Sequence, residues 1–180
     1  MKKLFLICAM VVALACINVM PAQATIALEF NPSDIEVEVC DTFWVDLWAD
    51  IPETDATLAW GLDLVYDNTQ MSWDSLTIGP DWTPPLPSTT DDGFAGFRLG
   101  PIWGNVLLAT LDFHCLDMGF STLDLAVSDT TEGFILPGGS FAAWECTPAN
   151  ITQTPEPATL FLMGTGLAGL VAARRRKKKH

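Results

Sequence analysis

Two tryptophans and an aspartate at alternating positions are the residues of this sequence best suited to bind a ligand. Trp44, Asp46 and Trp48 fall on one side of a predicted β-strand, because successive strand residues point to opposite faces. The pattern predicts two solvent-facing indoles about 7 Å apart with a carboxylate between them. Indoles stack on sugar rings and carboxylates accept hydroxyl hydrogen bonds, so we expect a glycan platform, which Trp82 and Trp103 would extend. The alternative is that a loop or a β-bulge covers these indoles.

The sequence lacks the residue patterns of an enzyme active site. His114 is the only histidine between Thr25 and Pro157, and its strand position turns it outward, away from the side of Cys115. These two residues are therefore poorly placed to act together as a catalytic nucleophile and its general base. No Gly-x-Ser-x-Gly elbow, metal-binding histidine pair or phosphate-binding glycine loop occurs. We expect a protein without catalytic activity.

The elements that must position these residues are β-strands. Between Thr25 and Asn150 apolar residues recur with a period close to two, and no long helical pattern occurs. Strands are predicted at 35–39, 43–49, 58–66, 94–99, 106–115, 122–128, 133–136 and 141–146. Prolines and glycines interrupt 79–93, which predicts a long acidic loop. Short, regularly spaced strands predict an all-β domain over 25–150, an antiparallel β-sandwich.

Acidic residues dominate the central part of the chain. All 22 carboxylates lie between Glu29 and Glu156, and Arg98 is the only arginine or lysine between Thr25 and Pro157. This charge repels nucleic acids and other anionic polymers. Divalent ions such as Ca²⁺ would relieve the self-repulsion, although no loop with the spacing of a calcium-binding hand occurs. The alternative is a solvated acidic surface that keeps an exported protein soluble, and the metal question stays open.

The N-terminus has the pattern of a secretory signal peptide over residues 1–24. Two lysines precede an apolar run, and Ala22 and Ala24 supply small residues where a signal peptidase cuts. We expect the export machinery to carry the chain out of the cytoplasm and the peptidase to leave Thr25 as the first residue. Lipidation of Cys16 is the alternative, although no leucine stands three positions before it.

The C-terminus combines three different segments. A linker over 151–157 ends in Pro155, Glu156 and Pro157, an uncharged apolar stretch covers 158–173, and basic residues fill 174–180. As a helix the apolar stretch spans roughly 24 Å, slightly less than a hydrocarbon core of about 30 Å. Membrane thinning or snorkelling of the basic side chains would allow it to cross. The sequence predicts a transmembrane helix with a cytoplasmic basic tail.

This three-part ending resembles the PEP-CTERM sorting signal of exopolysaccharide-producing Gram-negative bacteria. The matching residues are Pro155, Glu156 and Pro157, then Gly164, Gly166 and Gly169, then Arg174, Arg175 and Arg176. The resemblance implies processing by an exosortase, a membrane cysteine transpeptidase or protease that cuts near the Pro-Glu-Pro box. It also implies a protein held in the inner membrane in transit and then sorted to the cell surface or biofilm matrix. An ordinary tail anchor with a proline-rich linker is the alternative.

The central part resembles a cohesin-type β-sandwich. The matching segments are 37–45, 60–67, 108–113 and 119–125, which include an aromatic-rich strand ending in Tyr-Asp and a late Gly-x-Ser-Thr turn. Cys40 stands where such domains have a glycine. In cellulosomes this fold binds dockerin modules, so the resemblance implies a protein-binding module. A structural or adhesive role is our expectation, with glycan binding and cohesin-like protein binding as alternatives.

Three cysteines, Cys40, Cys115 and Cys146, remain after signal removal in a compartment where disulfides persist. One bridge and one leftover thiol is the simplest arrangement, and sequence alone permits three pairings. Because Cys115 and Cys146 lie near the ends of late strands, we favour a disulfide between them. Three thiols packed as small apolar groups are the alternative.

Overall fold

The computed structural model describes residues 25–85, 89–90, 93–127, 132–155 and 157–177. Within these ranges the chain forms thirteen β-strands, a short 3-10 turn at Glu53–Asp55 and one α-helix. The strands are β1 (Ile26–Asn31), β2 (Asp34–Glu38), β3 (Thr42–Ile51), β4 (Thr57–Val65), β5 (Met71–Ile78), β6 (Thr89–Thr90), β7 (Gly93–Ile102), β8 (Gly104–Cys115), β9 (Gly119–Ala126), β10 (Gly133–Ile135), β11 (Phe141–Ala142), β12 (Trp144–Thr147) and β13 (Ala149–Thr154), and the helix is α1 (Pro157–Lys177). The predicted signal peptide, with Cys16, and Glu156 of the Pro-Glu-Pro box lie outside the described residues.

Two β-sheets share one hydrophobic core, which confirms the predicted all-β sandwich. The first sheet has five strands in the order β12–β1–β3–β8–β5. The second follows the order β11–β10–β4–β9–β13–β2, and β7 and β6 extend it beside β4. Alternation along β3 shows how the layers form, since Val45, Leu47 and Ala49 are fully buried while the residues between them face outward.

Two strand pairs are parallel, which corrects the expected antiparallel sandwich. β1 pairs with β12 in parallel, with Leu28 opposite Cys146, and β2 pairs in parallel with β13, with Ile35 opposite Ile151. The first two strands divide between the sheets and so do the last two, so each sheet joins an N-terminal strand to a C-terminal one. The alternation of side chains has the same period in both kinds of pair, so it could not reveal the strand direction.

Aromatic side chains from both sheets meet in the core. Phe113 of β8 stacks on Phe43 with ring centroids 5.3 Å apart and contacts Tyr66 edge-on at 5.8 Å. Trp60 of β4 packs edge-on against Phe94 of β7 at 5.6 Å. Such pairs contribute about 0.5–1.5 kcal/mol each beyond the area that they bury. The contacts of Phe113 and Trp60 thus contribute to the core that the two sheets share.

The predicted strands are present, but the structure adds β1, β5, β6 and β13. β13 occupies the first part of the range 151–157 that was predicted as a linker, so the sandwich continues to Thr154. Its inward residues include Ile151 and Gln153, both buried. The amide of Gln153 donates a 2.8 Å hydrogen bond to the hydroxyl of Ser121. A glutamine at an inward position conceals the strand from an analysis of apolar alternation.

A helix forms where the sequence predicts one, but its membrane crossing is not supported. α1 covers the whole apolar range 158–173, and its apolar side chains Phe161, Leu162 and Leu170 are exposed. Among the described residues, no helix has both the length and the apolar character that a membrane crossing requires.

Gly79 provides a test of the packing between the loop after β5 and strand β8. A methyl group at Gly79 would collide with the backbone carbonyl of Leu107, whereas one at Gly61 would lie 3.8 Å from the nearest carbon, in ordinary contact. We expect Gly79→Ala to lower the free energy of unfolding by about 1–3 kcal/mol, the usual cost of overpacking. Gly61→Ala, the matched control, should leave it unchanged or raise it slightly. Urea titration of both variants measures the difference, and equal stabilities would contradict the packing.

Candidate functional site

The predicted tryptophan pair lies on the solvent-facing side of the five-stranded sheet, which we call the outer face. Its members are the outward residues of the five strands, in register across the sheet. They are Ala27, Glu29 and Asn31 of β1; Thr42, Trp44, Asp46, Trp48 and Asp50 of β3; Asn105, Leu107, Thr110, Asp112 and His114 of β8; Ser72, Ser75 and Thr77 of β5; and Glu145 and Thr147 of β12.

The middle strand of this sheet, β3, carries the three residues of the predicted platform. Trp44 is 56% exposed and lies opposite Asp112 of β8. Asp46 lies opposite Thr110, whose hydroxyl donates a 2.6 Å hydrogen bond to Oδ1 of Asp46. Trp48 is half-buried. All three therefore share the outer face, although Trp44 alone among them offers a largely free aromatic surface.

The expected spacing of about 7 Å between the two indoles is wrong. Trp44 and Trp48 are four residues apart on β3, which at about 3.3 Å per residue separates them by roughly 13 Å. The shorter distance is the one from each indole to Asp46. A single sugar ring could not stack on both indoles, so any glycan on this platform would have to span several rings.

A shallow groove of about 290 Å³ lies at one end of the outer face, beside Trp48. Its lining includes Glu29 of β1, Asp50 of β3, Asn105 of β8 and Thr147 of β12. Sequence analysis missed Glu29 because β1 was not predicted, although the alternation of Ile26, Leu28 and Phe30 would have revealed that strand. The groove brings two carboxylates, an amide and a hydroxyl together, a donor and acceptor set suited to hydroxyl-rich ligands.

Trp82 does not extend the platform. Trp82 is only 6% exposed, because a turn from Gly79 and two backbone hydrogen bonds between Thr83 and Phe97 fold it into the core. There it packs edge-on against Trp60 with centroids 6.1 Å apart. Trp103 is exposed and lies just before β8, roughly 13 Å along the strand direction from the level of Trp48. This step equals the one between Trp44 and Trp48, so the place of Trp103 on the platform stays a prediction.

The outer face is acidic. Its carboxylates are Glu29, Asp46, Asp50, Asp112 and Glu145. Asp112 accepts a 2.5 Å hydrogen bond from the hydroxyl of Ser75, and His114 lies half-buried on the same face between Thr42 and Ser72. In the part of the chain that the structure describes, no three His, Cys, Asp or Glu side chains form a group that could hold a metal ion.

The predicted disulfide between Cys115 and Cys146 is wrong. All three cysteines are reduced in this structure. The strand register aligns Cys146 with Leu28, Ala49 and Val106. Val106 and Cys115 lie near opposite ends of β8, roughly 30 Å apart at about 3.3 Å per residue. Burial and the neighbouring Asp124 raise the pKa of the Cys146 thiol to about 12. Both cysteines do lie near the ends of late strands, but at opposite ends of the sandwich.

The C-terminal segment presents a different kind of site. Pro155 follows β13 directly, and Pro157 begins α1. The hydroxyl of Thr165 donates to the backbone carbonyls of Phe161 and Leu162 at 2.9 and 3.0 Å, so this polar group is satisfied within the helix. Arg174 lies exposed near the end of the helix, and Arg175 and Arg176 follow in the same helix. The apolar stretch and the three arginines thus form one continuous helix that begins at the second proline of the box.

Residues 153–177 match the family model of the PEP-CTERM protein-sorting motif. This motif is the signal of an exported protein that an exosortase processes at the membrane. The match covers the helix and the residues immediately before it, so it identifies the sorting segment and leaves the sandwich to be compared by its fold. No curated protein sequence matches the chain.

The sandwich has the fold of cohesin domains. The seventh ScaB type I cohesin of Pseudobacteroides cellulosolvens aligns with a TM-score of 0.56 at 15% identity, covering 73% of this chain and 93% of the cohesin. The OlpC cohesin of Clostridium thermocellum, solved in complex with the dockerin Doc435, gives 0.57 at 12% identity over 77% and 99%. A non-cellulosomal cohesin of Archaeoglobus fulgidus gives 0.56 at 11% over 77% and 97%.

Proposed function

We propose that this chain is a non-catalytic binding module that works outside the cytoplasm and docks a protein partner on the outer face. The observation that carries the proposal is the position of Trp44. More than half of its surface is exposed on the middle strand of the five-stranded sheet. Large exposed aromatic residues on a rigid sheet are the usual anchors of protein interfaces, where a few such side chains supply most of the binding energy.

The fold supports a protein partner over a small-molecule substrate. The OlpC cohesin shares this sandwich and was solved bound to a dockerin. Its identity to this chain is 12%, so the likeness supports the fold's suitability for protein binding and says nothing about a dockerin as the partner here. The groove beside Trp48 is shallow and lies at the end of the outer face, and this shape suits an extended contact surface more than a catalytic pocket.

The charge of the outer face defines the chemistry of the partner. Glu29, Asp50 and Asp112 lie on neighbouring strands, and Arg98, the only arginine or lysine of the sandwich sequence, belongs to β7 of the other sheet. A partner with a basic surface would be steered towards this face. Its association rate should fall as salt rises, because ions screen charges over about 10 Å at 0.1 M.

The sorting segment supplies the route to that partner. We propose that the signal peptidase frees Thr25 and that an exosortase then removes the tail near Pro157. The sandwich would reach the cell surface or the exopolysaccharide matrix of a Gram-negative bacterium and act there as a structural or adhesive component. Its acidic surface keeps the released module soluble.

Glycan binding is a second candidate, and the groove beside Trp48 favours it. Glu29 and Asp50 offer carboxylate acceptors next to a half-buried indole, an arrangement that can hold a neutral polysaccharide. This candidate places the contact at the groove end of the outer face. The protein-binding proposal places it at Trp44, so the two can be tested separately.

A pair of aromatic substitutions tests the binding face. We expect Trp44→Ala to weaken binding to the proteins of the producing cell's surface by about tenfold or more, the loss of one interface anchor. Phe120→Ala is the matched control, because Phe120 is 62% exposed on the outer side of the other sheet. Surface plasmon resonance against fractionated surface proteins and purified exopolysaccharide measures both. Unchanged protein binding by Trp44→Ala, or loss only with Phe120→Ala, would contradict the proposed face.

Replacement of Pro155 and Pro157 by alanine tests the processing route. The wild-type chain should be recovered from the medium with Thr25 at its start and without residues 158–180. The double variant should keep the tail, because the exosortase would no longer meet its proline box. Pro137→Ala, which changes an exposed proline in the 137–139 turn, should be processed normally. Terminal peptide mass spectrometry measures all three, and a tail retained in the wild type would refute the route.

A further inference from the structure

We propose that Cys40 and Cys115 are joined by a disulfide in the exported protein, and that Cys146 is the leftover thiol. The two residues meet at the start of the ladder between β3 and β8. The backbone N–H of Cys40 donates to the carbonyl of Cys115 at 3.0 Å, and the N–H of Cys115 donates to the carbonyl of Asp41 at 2.9 Å. Cys40 and Asp41 thus both lie opposite Cys115, as in a β-bulge.

This backbone geometry is within the reach of a disulfide. Residues that hydrogen-bond across antiparallel strands have Cα atoms about 5.5 Å apart. Disulfides usually join Cα atoms about 4.4–6.8 Å apart. Burial raises the pKa of the Cys115 thiol most, and the negative charge of a Cys40 thiolate raises it as well. Cys146 lies at the far end of the sandwich, roughly 30 Å from Cys115 along the strand direction.

The conformation of Cys40 gives a second, independent reason. Its φ is 72°, in the left-handed region that glycine adopts readily and that other residues rarely adopt. A cysteine at this turn therefore strains the backbone more than a glycine would. We expect the cysteine side chain to offset this strain with a stabilising interaction of its own. A covalent bond from Cys40 to β8 is such a contribution, since the turn after β2 carries the chain from one sheet to the other.

The exposures of the two thiols define the order of the chemistry. Cys40 is exposed and Cys115 is buried, so an incoming disulfide of a thiol–disulfide oxidoreductase can reach Cys40 first. The Cys40 thiolate attacks that disulfide, forms a mixed disulfide and releases one thiolate of the donor. The Cys115 thiolate then attacks the Cys40 sulfur and releases the second. The two thiols of this chain are oxidised and lose two protons, and the donor disulfide is reduced to two thiols.

Peptide mapping of the full chain tests the bond. The protein is exported with its own signal peptide, collected outside the cytoplasm, denatured without reductant, alkylated and cut with a carboxylate-specific protease, since Glu38, Asp41, Asp112 and Asp117 flank the two cysteines. We expect the two peptides to be joined, lighter by two hydrogens than their sum, and Cys146 to be alkylated. Cys146→Ser should keep the link. Cys40→Ser should abolish it and leave Cys115 to be alkylated.

Reduction provides a second readout that does not depend on peptide recovery. Closing the loop between residues 40 and 115 should raise the midpoint of thermal unfolding by roughly 10 °C or more. Reductant should remove this gain in the wild type and in Cys146→Ser. It should leave the midpoint of thermal unfolding of Cys40→Ser unchanged. Alkylation of all three cysteines even after treatment with oxidised glutathione would overturn the proposal, and so would a bond that involves Cys146.

Discussion

The long antiparallel pairing between β3 and β8 is the interaction on which the rest of the structure depends. It runs from Thr42 opposite His114 to Ile51 opposite Gly104 at the centre of the five-stranded sheet. One side of the ladder supplies buried residues such as Val45 and Leu111, and the other supplies the outer face with Trp44. The two ends of this ladder carry the cysteine pair and the groove. Cys40 meets Cys115 at one end, and the groove beside Trp48 opens at the other.

Charge and export are physically linked in this protein. The sandwich carries almost no cations, so its carboxylates repel one another and must be solvated or neutralised by something outside the chain. An exported module can meet basic protein surfaces and divalent ions in its surroundings. The sorting segment concentrates the opposite charge at the C-terminus, and processing near Pro157 would remove it. The released module would then be uniformly acidic, which favours partners of complementary charge.

Sequence reasoning predicted the strands whose apolar residues alternate cleanly, such as β3 and β8, and the orientation of Trp44, Asp46 and Trp48. It missed β13, where Gln153 points inward, and β5, where a bulge near Trp73 interrupts the alternation. Sequence reasoning also could not predict which strands become neighbours in the two sheets. The direction of the β1 and β12 pair, the burial of Trp82 and the separation of Cys115 from Cys146 all depend on which strands become neighbours, which local periodicity does not specify.

Photo-crosslinking in the producing cells tests most directly whether the outer face is where this module works. A benzoylphenylalanine placed at position 44 would lie on the middle strand of the first sheet, and one placed at position 120 would lie on the second sheet. Our account predicts a discrete protein adduct of the processed chain after irradiation from position 44 and none from position 120. An adduct formed only from position 120, or none from position 44, would contradict it.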